Sequence, residues 1–404
     1  MKMKNTAFAL LAMVAGMASA QVTESAQASG EEKTLVERIA KIEKKHDWFN
    51  LYLNMHYAFD AEFNPAGTGG FHQGSFNMRQ FRIQATGRVT DWLSYHWRQR
   101  LNRGNDGGGF IDNLPNSIDF ACLTFNVNKH FSITAGKQAA AYGGFEYDLN
   151  PIEIYRYSEM INNMSNFMSG VSFTYDFNPN QQLVLQVLDS RNGSIEETYG
   201  KNLEANKLPL VYSLNWNANM CGGAWQTRWS ASVMDEVRGK YMYYLAIGNQ
   251  FNFSPKCNMY VDIMSSYEEL DRKGIMTNMF GGQDKFAGHN MYNTLYNSLV
   301  AKVNYRFLPK WNFFVKGMLE SAAIYCGEEN VGAYNNGTVA DGNYRTSIGY
   351  LTGIEYYPMN TNLRFYLSFF GQTNLFAERA KALGQDNYST QRLSIGFIYK
   401  LPVF

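Results

Sequence analysis

The sequence predicts an all-β fold, a 16-stranded antiparallel transmembrane β-barrel with a short N-terminal periplasmic helix. Three observations lead to this prediction. Apolar and polar residues alternate from about residue 47 onward, the connections between runs are short and long in turn, and the last stretch reads as an amphipathic strand. A strand presents its side chains to two faces alternately, so each run has one apolar face. A closed barrel in lipid pairs every backbone polar group internally.

The first residues read as a secretory signal. Lys2 and Lys4 form a charged start, residues 7–17 form an apolar core, and residues 18–20 read Ala-Ser-Ala, a typical cleavage site. The apolar core is shorter than the roughly 20 residues that a membrane-spanning helix needs. We therefore expect residues 1–20 to be removed on export, and any crossing of the membrane to be made by strands.

One helical segment precedes the alternating region. In residues 31–46, Leu35, Ile39 and Ile42 recur at helical spacing, with charged residues between them. This narrow apolar seam predicts that residues 21–46 form a periplasmic linker with a short coiled-coil-like helix. A solvated linker helix explains the same pattern equally well.

Residues 47–404 are predicted to form the barrel domain. Its sixteen runs cover residues 49–60, 81–89, 92–102, 119–127, 131–136, 171–177, 183–189, 210–216, 225–233, 243–253, 259–264, 299–307, 311–320, 348–356, 363–370 and 392–401. Short turns rich in Asn, Pro and Lys alternate with long connections, and only residues 235–240 break this rule. Tight turns on one side and long loops on the other are typical of transmembrane barrels.

The last stretch, residues 388–404, is the clearest strand. From residue 392 to 401 one face reads Leu, Ile, Phe, Tyr, Leu and the other Arg, Ser, Gly, Ile, Lys. In a soluble protein such a strand would leave an unprotected apolar edge, whereas in a barrel it closes the ring. The final Phe404 also resembles the assembly signal of bacterial outer-membrane barrels. The alternative is the edge strand of a β-sandwich.

The inward face of the predicted strands is basic, although the chain as a whole carries a net charge of only +1. The acidic side chains on that face are Asp60, Asp176, Asp262, Glu320 and Glu355. The basic ones outnumber them by about two to one, and the candidate pore-lining, anion-binding residues are Arg82, Arg98, Arg100, Arg228, Lys302, Lys316, Arg364 and Arg392. Basic rings in a pore favour anions. If the acids neutralise these bases, the alternative is a charge-balanced general pore.

The third long connection, residues 138–166, is too long and too aromatic for a plain surface loop. If it folds inward it narrows the channel, and Glu146, Asp148, Glu153 and Arg156 are then residues of a constriction loop. The equally long connection at residues 265–293 is rich in glycine, and we expect it to stay on the surface.

Two stretches carry a family resemblance. Residues 76–102 read FNMRQFRIQATGRVTDWLSYHWRQRLN, and residues 131–146 read FSITAGKQAAAYGGFE. With the signal, the short helix and the last strand, they resemble the phosphate-selective porin O/P-like family in the form associated with Bacteroidetes outer membranes. The resemblance implies a sixteen-stranded homotrimeric diffusion channel in the cell outer membrane. Its partners would be outer-membrane lipid and small anions or other small hydrophilic solutes.

Of the two features associated with phosphate selectivity in this family, only one has a counterpart in the sequence. Phosphate-selective members of the family resemble one another in a lumenal arginine ladder and a lysine cluster at the constriction. Arg82, Arg98 and Arg100 match the ladder. The lysine cluster has no counterpart, because residues 138–166 beyond the strand carry one base and four acids. The resemblance therefore implies a general or anion-selective diffusion channel, and we do not infer phosphate specificity from it.

Other functions are less well supported by the sequence. An outer-membrane hydrolase needs a Ser–His–acid set, and the nearest approach is Ser94 with His96, two residues apart on one predicted strand. A structural or adhesive barrel, acting through its long extracellular loops, is the main alternative. We expect no enzyme activity, cofactor, metal site or nucleic-acid partner. The cysteine spacing neither requires nor excludes a disulfide between Cys221 and Cys257.

Overall fold

In a computed structural model of the chain, the described residues are 48–63, 70–103, 112, 114–191, 193–330, 339–359 and 362–404. The predicted signal and N-terminal helix lie outside them. The described residues contain sixteen strands: β1 (Asn50–Phe63), β2 (Phe71–Thr90), β3 (Leu93–Arg100), β4 (Ile118–Asn126), β5 (Phe131–Ala139), β6 (Phe167–Asn178), β7 (Gln181–Asp189), β8 (Leu210–Met220), β9 (Trp225–Asp235), β10 (Tyr241–Ser254), β11 (Cys257–Leu270), β12 (Tyr292–Leu308), β13 (Trp311–Ile324), β14 (Gly342–Tyr356), β15 (Leu363–Phe376) and β16 (Tyr388–Pro402).

The sheet is a closed antiparallel barrel. Each strand pairs with its neighbours in the sequence, and β16 pairs with β1. The register at this seam runs from Tyr52 opposite Pro402 to Phe63 opposite Gln391. Closure through the last strand is thus confirmed, and the β-sandwich alternative is wrong. None of the helices in the described part of the chain has the length and apolar character needed to span a bilayer.

The period of two explains how the strands form the wall. In β13, Phe313, Val315 and Leu319 are exposed on the outer face, whereas Lys316 and Glu320 between them are buried on the inner face. The same alternation repeats in β10, β11, β12 and β14. The outer face of the barrel is therefore apolar and suited to lipid.

The inner face is not uniformly polar. The largest apolar cluster of the described residues lies inside the barrel. Residues 140–166, which connect β5 to β6 and are called the lumen loop below, contribute Tyr142, Phe145, Ile152 and Ile161 to it, and the wall contributes Phe314, Met318, Leu351 and Phe370. Because the lumen loop covers these inward apolar side chains, their burial favours the docked loop through the hydrophobic effect.

Five short helices lie in the long connections: α1 (Phe145–Asp148) and α2 (Glu159–Asn162) in the lumen loop, α3 (Ile195–Tyr199), α4 (Ile275–Met279) and α5 (Glu378–Lys381). Three 3₁₀ turns cover Pro151–Glu153, Cys221–Gly223 and Gly327–Asn330. The expectation of a surface loop at residues 265–293 is wrong. The strands extend further than predicted, and Met276, Phe286 and Met291 of the remaining segment are fully buried.

Candidate functional site

The lumen loop crosses from β5 to the opposite wall and is bound there by backbone hydrogen bonds. The carboxylate of Asp262 on β11 accepts from Phe145 N and Glu146 N, each at 2.8 Å. Gly144 N donates to Arg228 O at 3.0 Å. Further along, the carboxylate of Glu320 on β13 accepts from Glu159 N at 3.0 Å. Inward-facing wall carboxylates thus satisfy backbone donors that a loop in the lumen would otherwise leave unpaired.

The acidic side chains of the lumen loop pair with bases of the wall. Glu146 binds Lys316, Glu159 binds Arg345, and Asp148 binds Arg228 at 2.8 Å. The Glu146–Lys316 pair is almost fully buried, with both side chains 3% exposed or less. These contacts account for three of the four acids of the loop, and they direct their negative charge toward β9, β13 and β14.

The middle of the lumen loop packs on the wall through an aromatic stack. The ring of Tyr155 lies parallel to that of Phe314 with centroids 4.9 Å apart, and its hydroxyl donates to Glu355 at 2.5 Å. Arg156 lies over the ring of Phe370 at 5.1 Å. This side of the lumen, from β9 through β15, is filled by packed side chains.

The open space lies on the other side of the lumen loop. A cavity of about 840 Å³ lies between the loop and the inner wall from β2 to β8. Its lining includes Arg82, Arg98 and Arg100 from the wall and Tyr157 from the loop. The loop therefore divides the barrel into a packed half and an open half.

Three arginines share one carboxylate on the wall of this cavity. Asp119 on β4 is bound by Arg82 at 3.1 Å, by Arg98 at 3.1 Å and by Arg100 at 2.7 Å. Arg98 also lies over the ring of Phe120, with its guanidinium carbon 4.6 Å from the centroid. Because one negative charge cannot neutralise three positive ones, the cluster leaves an excess of positive charge in a confined space.

The arginine cluster has hydrogen-bonding capacity left over. Arg82 is 2% exposed, and its Nε is buried without a hydrogen-bond partner among the described residues. Tyr157 lies on the same cavity lining as Arg82, Arg98 and Arg100. Burial raises the pKa of Tyr157, and the three guanidinium groups act in the opposite direction.

The other predicted anion-binding residues lie away from the cavity lining. Lys316 is buried in its pair with Glu146 and donates to Arg156 O at 2.7 Å. Arg364 pairs with Glu355 at 3.3 Å, and Arg392 lies 3.9 Å from Asp60. Lys302 lies over the Phe314 ring at 5.1 Å, and Arg228 pairs with Asp148 as described. Of the eight predicted residues, the structure brings only Arg82, Arg98 and Arg100 together at the cavity.

Strict alternation missed several charged residues of the lumen. Arg79, which binds Asp60 and donates to Ser394 at 2.8 Å, is the extra residue of a β-bulge between β1 and β2. Asp119 lies beside a second irregularity between β3 and β4. Lys137, on the cavity wall, follows Gly136, whose φ of 118° breaks the regular strand. A bulge shifts the facing of every later residue, so the period of two fails beyond it.

The structure also places the residues on which the other predicted functions and the disulfide would depend. His96 stacks on Phe120 with centroids 4.1 Å apart, and its Nε2 has no hydrogen-bond partner in the described part of the structure, so it forms no pair with Ser94. Among the described residues, no three His, Cys, Asp or Glu side chains are grouped as a metal ion would require. Cys221 and Cys257 are free thiols.

Solved structures of other proteins share the fold. The outer membrane channel DcaP of Acinetobacter baumannii has a TM-score of 0.56 at 13% identity, covering 87% of this chain and 96% of that one. OmpF of Salmonella typhi, in complex with daunomycin, has a TM-score of 0.54 at 12% identity, with 87% and 97% covered. An anion-selective porin from Comamonas acidovorans has a TM-score of 0.52 at 8% identity, with 87% and 99% covered.

Comparison of the sequence with known families shows to which family the chain belongs. No protein of curated function matches the chain. The family described as phosphate-selective porin O and P matches residues 49–401, nearly the whole of the predicted barrel domain. A match of this extent, on a closed sixteen-stranded barrel with a cavity beside an inward-folded loop, identifies the chain as a member of the phosphate-selective porin O and P family, and hence as an outer-membrane diffusion porin.

Proposed function

We propose that this porin passes small anions in preference to cations, and that Arg82, Arg98 and Arg100 determine the preference. The observation that carries the proposal is the sharing of the single carboxylate of Asp119 by all three guanidinium groups on the cavity wall. Low-dielectric protein walls focus such a field, so cations are repelled and anions concentrated at this point.

The pairing of the acids in the lumen loop leaves the positive charge at the cavity largely uncompensated. Its acids Glu146 and Glu159 bind wall bases on the far side of the barrel, so they add little negative potential at the cavity. Asp148, which does line the cavity, is paired with Arg228 at 2.8 Å. We propose that the loop forms the constriction and that its tyrosines, rather than its carboxylates, face the arginines.

The proposal stops at anion preference. The family is described by its phosphate selectivity, but the lumen loop carries one base, Arg156, and that side chain lies over Phe370 outside the cavity lining. A phosphate-specific site needs several donors around one oxyanion. The arginine cluster supplies donors from one wall only.

Conductance in planar lipid bilayers tests the proposal. In a KCl gradient, the reversal potential should favour chloride, and Arg98→Gln together with Arg100→Gln should move it toward cations. Arg238→Gln is the matched control, because Arg238 pairs with Glu204 and both side chains are well exposed; it should leave the reversal potential unchanged. A wild-type reversal potential that favours cations would reject the proposal. A barrel without steady current would instead favour the structural or adhesive alternative.

We further propose a homotrimer embedded in outer-membrane lipid and exported through a cleaved signal at residues 1–20. The apolar outer face supports contact with lipid. A trimer form is known for OmpT of Vibrio cholerae, which shares this fold with a TM-score of 0.51 at 10% identity. Cross-linking of the native membrane protein should yield a species three times the mass of the monomer. N-terminal sequencing of the mature protein should start at Gln21.

A further inference from the structure

We propose that the preferred solute of this porin is an anionic sugar, a hexose that carries a phosphate or a carboxylate group. The inference rests on the proposed anion preference and adds the body of the solute to its charge. It is drawn from the chemical difference between the two walls of the cavity. The arginine cluster lies on one side, and neutral polar side chains lie on the other.

The wall opposite the arginines is polar without charge. The cavity lining from β6, β7 and β8 contains no charged side chain, and it presents Thr174, Asn215 and Asn217. The end of the lumen loop adds Asn162 and Asn166. Carboxamides and hydroxyls both donate and accept hydrogen bonds. They therefore match the hydroxyl groups of a sugar ring, which do the same.

Two of these carboxamides have unused acceptors. Asn166 Oδ1 and Asn217 Oδ1 are buried atoms without a hydrogen-bond partner among the described residues. Nearby Gln186 shows the contrast, because its amide binds Gln138, Ser172 and the backbone and is fully occupied. A buried acceptor without a partner is costly. A simple inorganic anion or a dicarboxylate offers few or no donors to the carboxamide and hydroxyl side chains that line this wall, whereas a sugar offers several hydroxyl groups.

The arginine wall suits the charged end of the same molecule. Arg82 Nε is a buried donor without a partner among the described residues, and Arg98 packs against the adjoining rings of Phe120 and Phe167, at 4.6 and 5.3 Å from their centroids. Arginines held in this way bind carboxylate or phosphate with little loss of side-chain entropy. One molecule with an anionic group and a hydroxylated ring can use both walls together.

The size of the cavity agrees with a solute larger than an inorganic ion. Its volume is about 840 Å³, within the range of about 300–1,000 Å³ typical of sites for organic ligands. Tyr147 and Tyr157 of the lumen loop lie on its lining, and their rings offer apolar faces to the C–H groups of a sugar. Inorganic phosphate would leave most of this space and the neutral polar wall unused.

Block of the chloride current in planar bilayers tests the inference. Glucose 6-phosphate, glucuronate, inorganic phosphate and glucose are added separately, and the half-blocking concentration of each is measured. We expect glucose 6-phosphate and glucuronate to block at concentrations about tenfold lower than phosphate or glucose, the effect of one or two added hydrogen bonds. The order of the two sugars shows whether phosphate or carboxylate is the better charged group.

Two variants separate the walls of the cavity. Asn217→Ala should raise the half-blocking concentration of both anionic sugars by about tenfold while changing that of inorganic phosphate far less. Arg98→Gln should weaken the block by all three anions. Asn304→Ala is the control, because Asn304 lies on β12 away from the cavity lining and binds Asn258 at 2.9 Å; its block should match wild type. Heat modifiability on gels confirms that each variant is folded.

The outcomes distinguish this inference from the proposed function. If the reversal potential favours chloride but phosphate blocks as well as glucose 6-phosphate, the sugar inference is wrong and the anion preference stands. If glucose blocks as well as the anionic sugars, the charged wall has no part in recognition, and the inference again fails. A reversal potential that favours cations removes both proposals.

Discussion

The buried pair of Lys316 and Glu146 should hold the lumen loop against the wall. Lys316 Nζ binds the Glu146 carboxylate and also donates to Arg156 O at 2.7 Å. The carboxylate accepts in addition from Ser158 N at 2.9 Å and from Ser158 Oγ at 2.5 Å. Lys316→Met removes the positive partner and leaves Glu146, which is 0% exposed, as a buried charge with only hydrogen bonds to support it.

The expected size of the effect follows from this burial. Removing one partner of a buried ion pair costs about 3–5 kcal/mol. The cost falls on the docked loop and not on the closed sheet, since the strand pairing of the barrel does not depend on this contact. A loss of that size raises the population of the undocked loop by a factor on the order of 10² to 10⁴.

Hydrogen exchange of the porin in detergent measures the change directly. In Lys316→Met, amides of residues 140–166 should exchange faster by that factor, while amides of β13 and β14 keep their rates. Single-channel currents in planar bilayers should become noisier, because a mobile loop varies the width of the passage.

A double variant provides the control for this prediction. Lys316→Met with Glu146→Gln removes both charges and keeps one acceptor oxygen for Ser158, so it should recover most of the protection of the loop. Unchanged exchange in the single variant would show that the pair does not hold the loop. A double variant as mobile as the single variant would show that the effect is not electrostatic.

Three further predictions follow from the same geometry. Asp119→Asn removes the shared carboxylate, so the reversal potential should favour anions more strongly, while the heat-induced unfolding midpoint falls by an amount corresponding to about 3–5 kcal/mol; an unchanged reversal potential would contradict the role of the cluster. Gly248→Ala places a Cβ 2.7 Å from Oδ1 of Asp262, the wall carboxylate that binds the backbone of α1, so the lumen loop should become sensitive to added protease. Gly317→Ala is the control, because no atom lies within 4 Å of its Cβ position, and it should behave as wild type. Alkylation of the denatured, unreduced protein should label both Cys221 and Cys257, and a mass that lacks either label would show a disulfide.

Much of the architecture could be predicted from local patterns. The sixteen strands, the seam between β1 and β16 and the inward face of residues such as Lys316 and Arg364 follow from alternation and turn chemistry, because a strand's facing is determined by the residue spacing along it. The aromatic content and length of the third connection also indicated that it differs from a surface loop. The segment between β11 and β12 was misjudged, since glycine count says nothing about the burial of Met276 and Phe286.

The site itself depended on contacts between distant parts of the chain. Asp119 could not be grouped with the three arginines from the sequence, because it is the extra residue of an irregularity in the pairing of β3 with β4. Nor could alternation show that Lys316 and Arg228 are bound by acids of the lumen loop while Arg98 and Arg100 remain at the cavity.

The sequence by itself determined that the chain forms a closed antiparallel barrel of sixteen strands, since period and turn signals are local properties of the chain. Only the tertiary structure decided which bases remain available to a solute. That choice depends on the path of the lumen loop across the barrel, where hydrophobic burial against Phe314 and Met318 and the pairing of its acids fill one half and leave the arginine wall open.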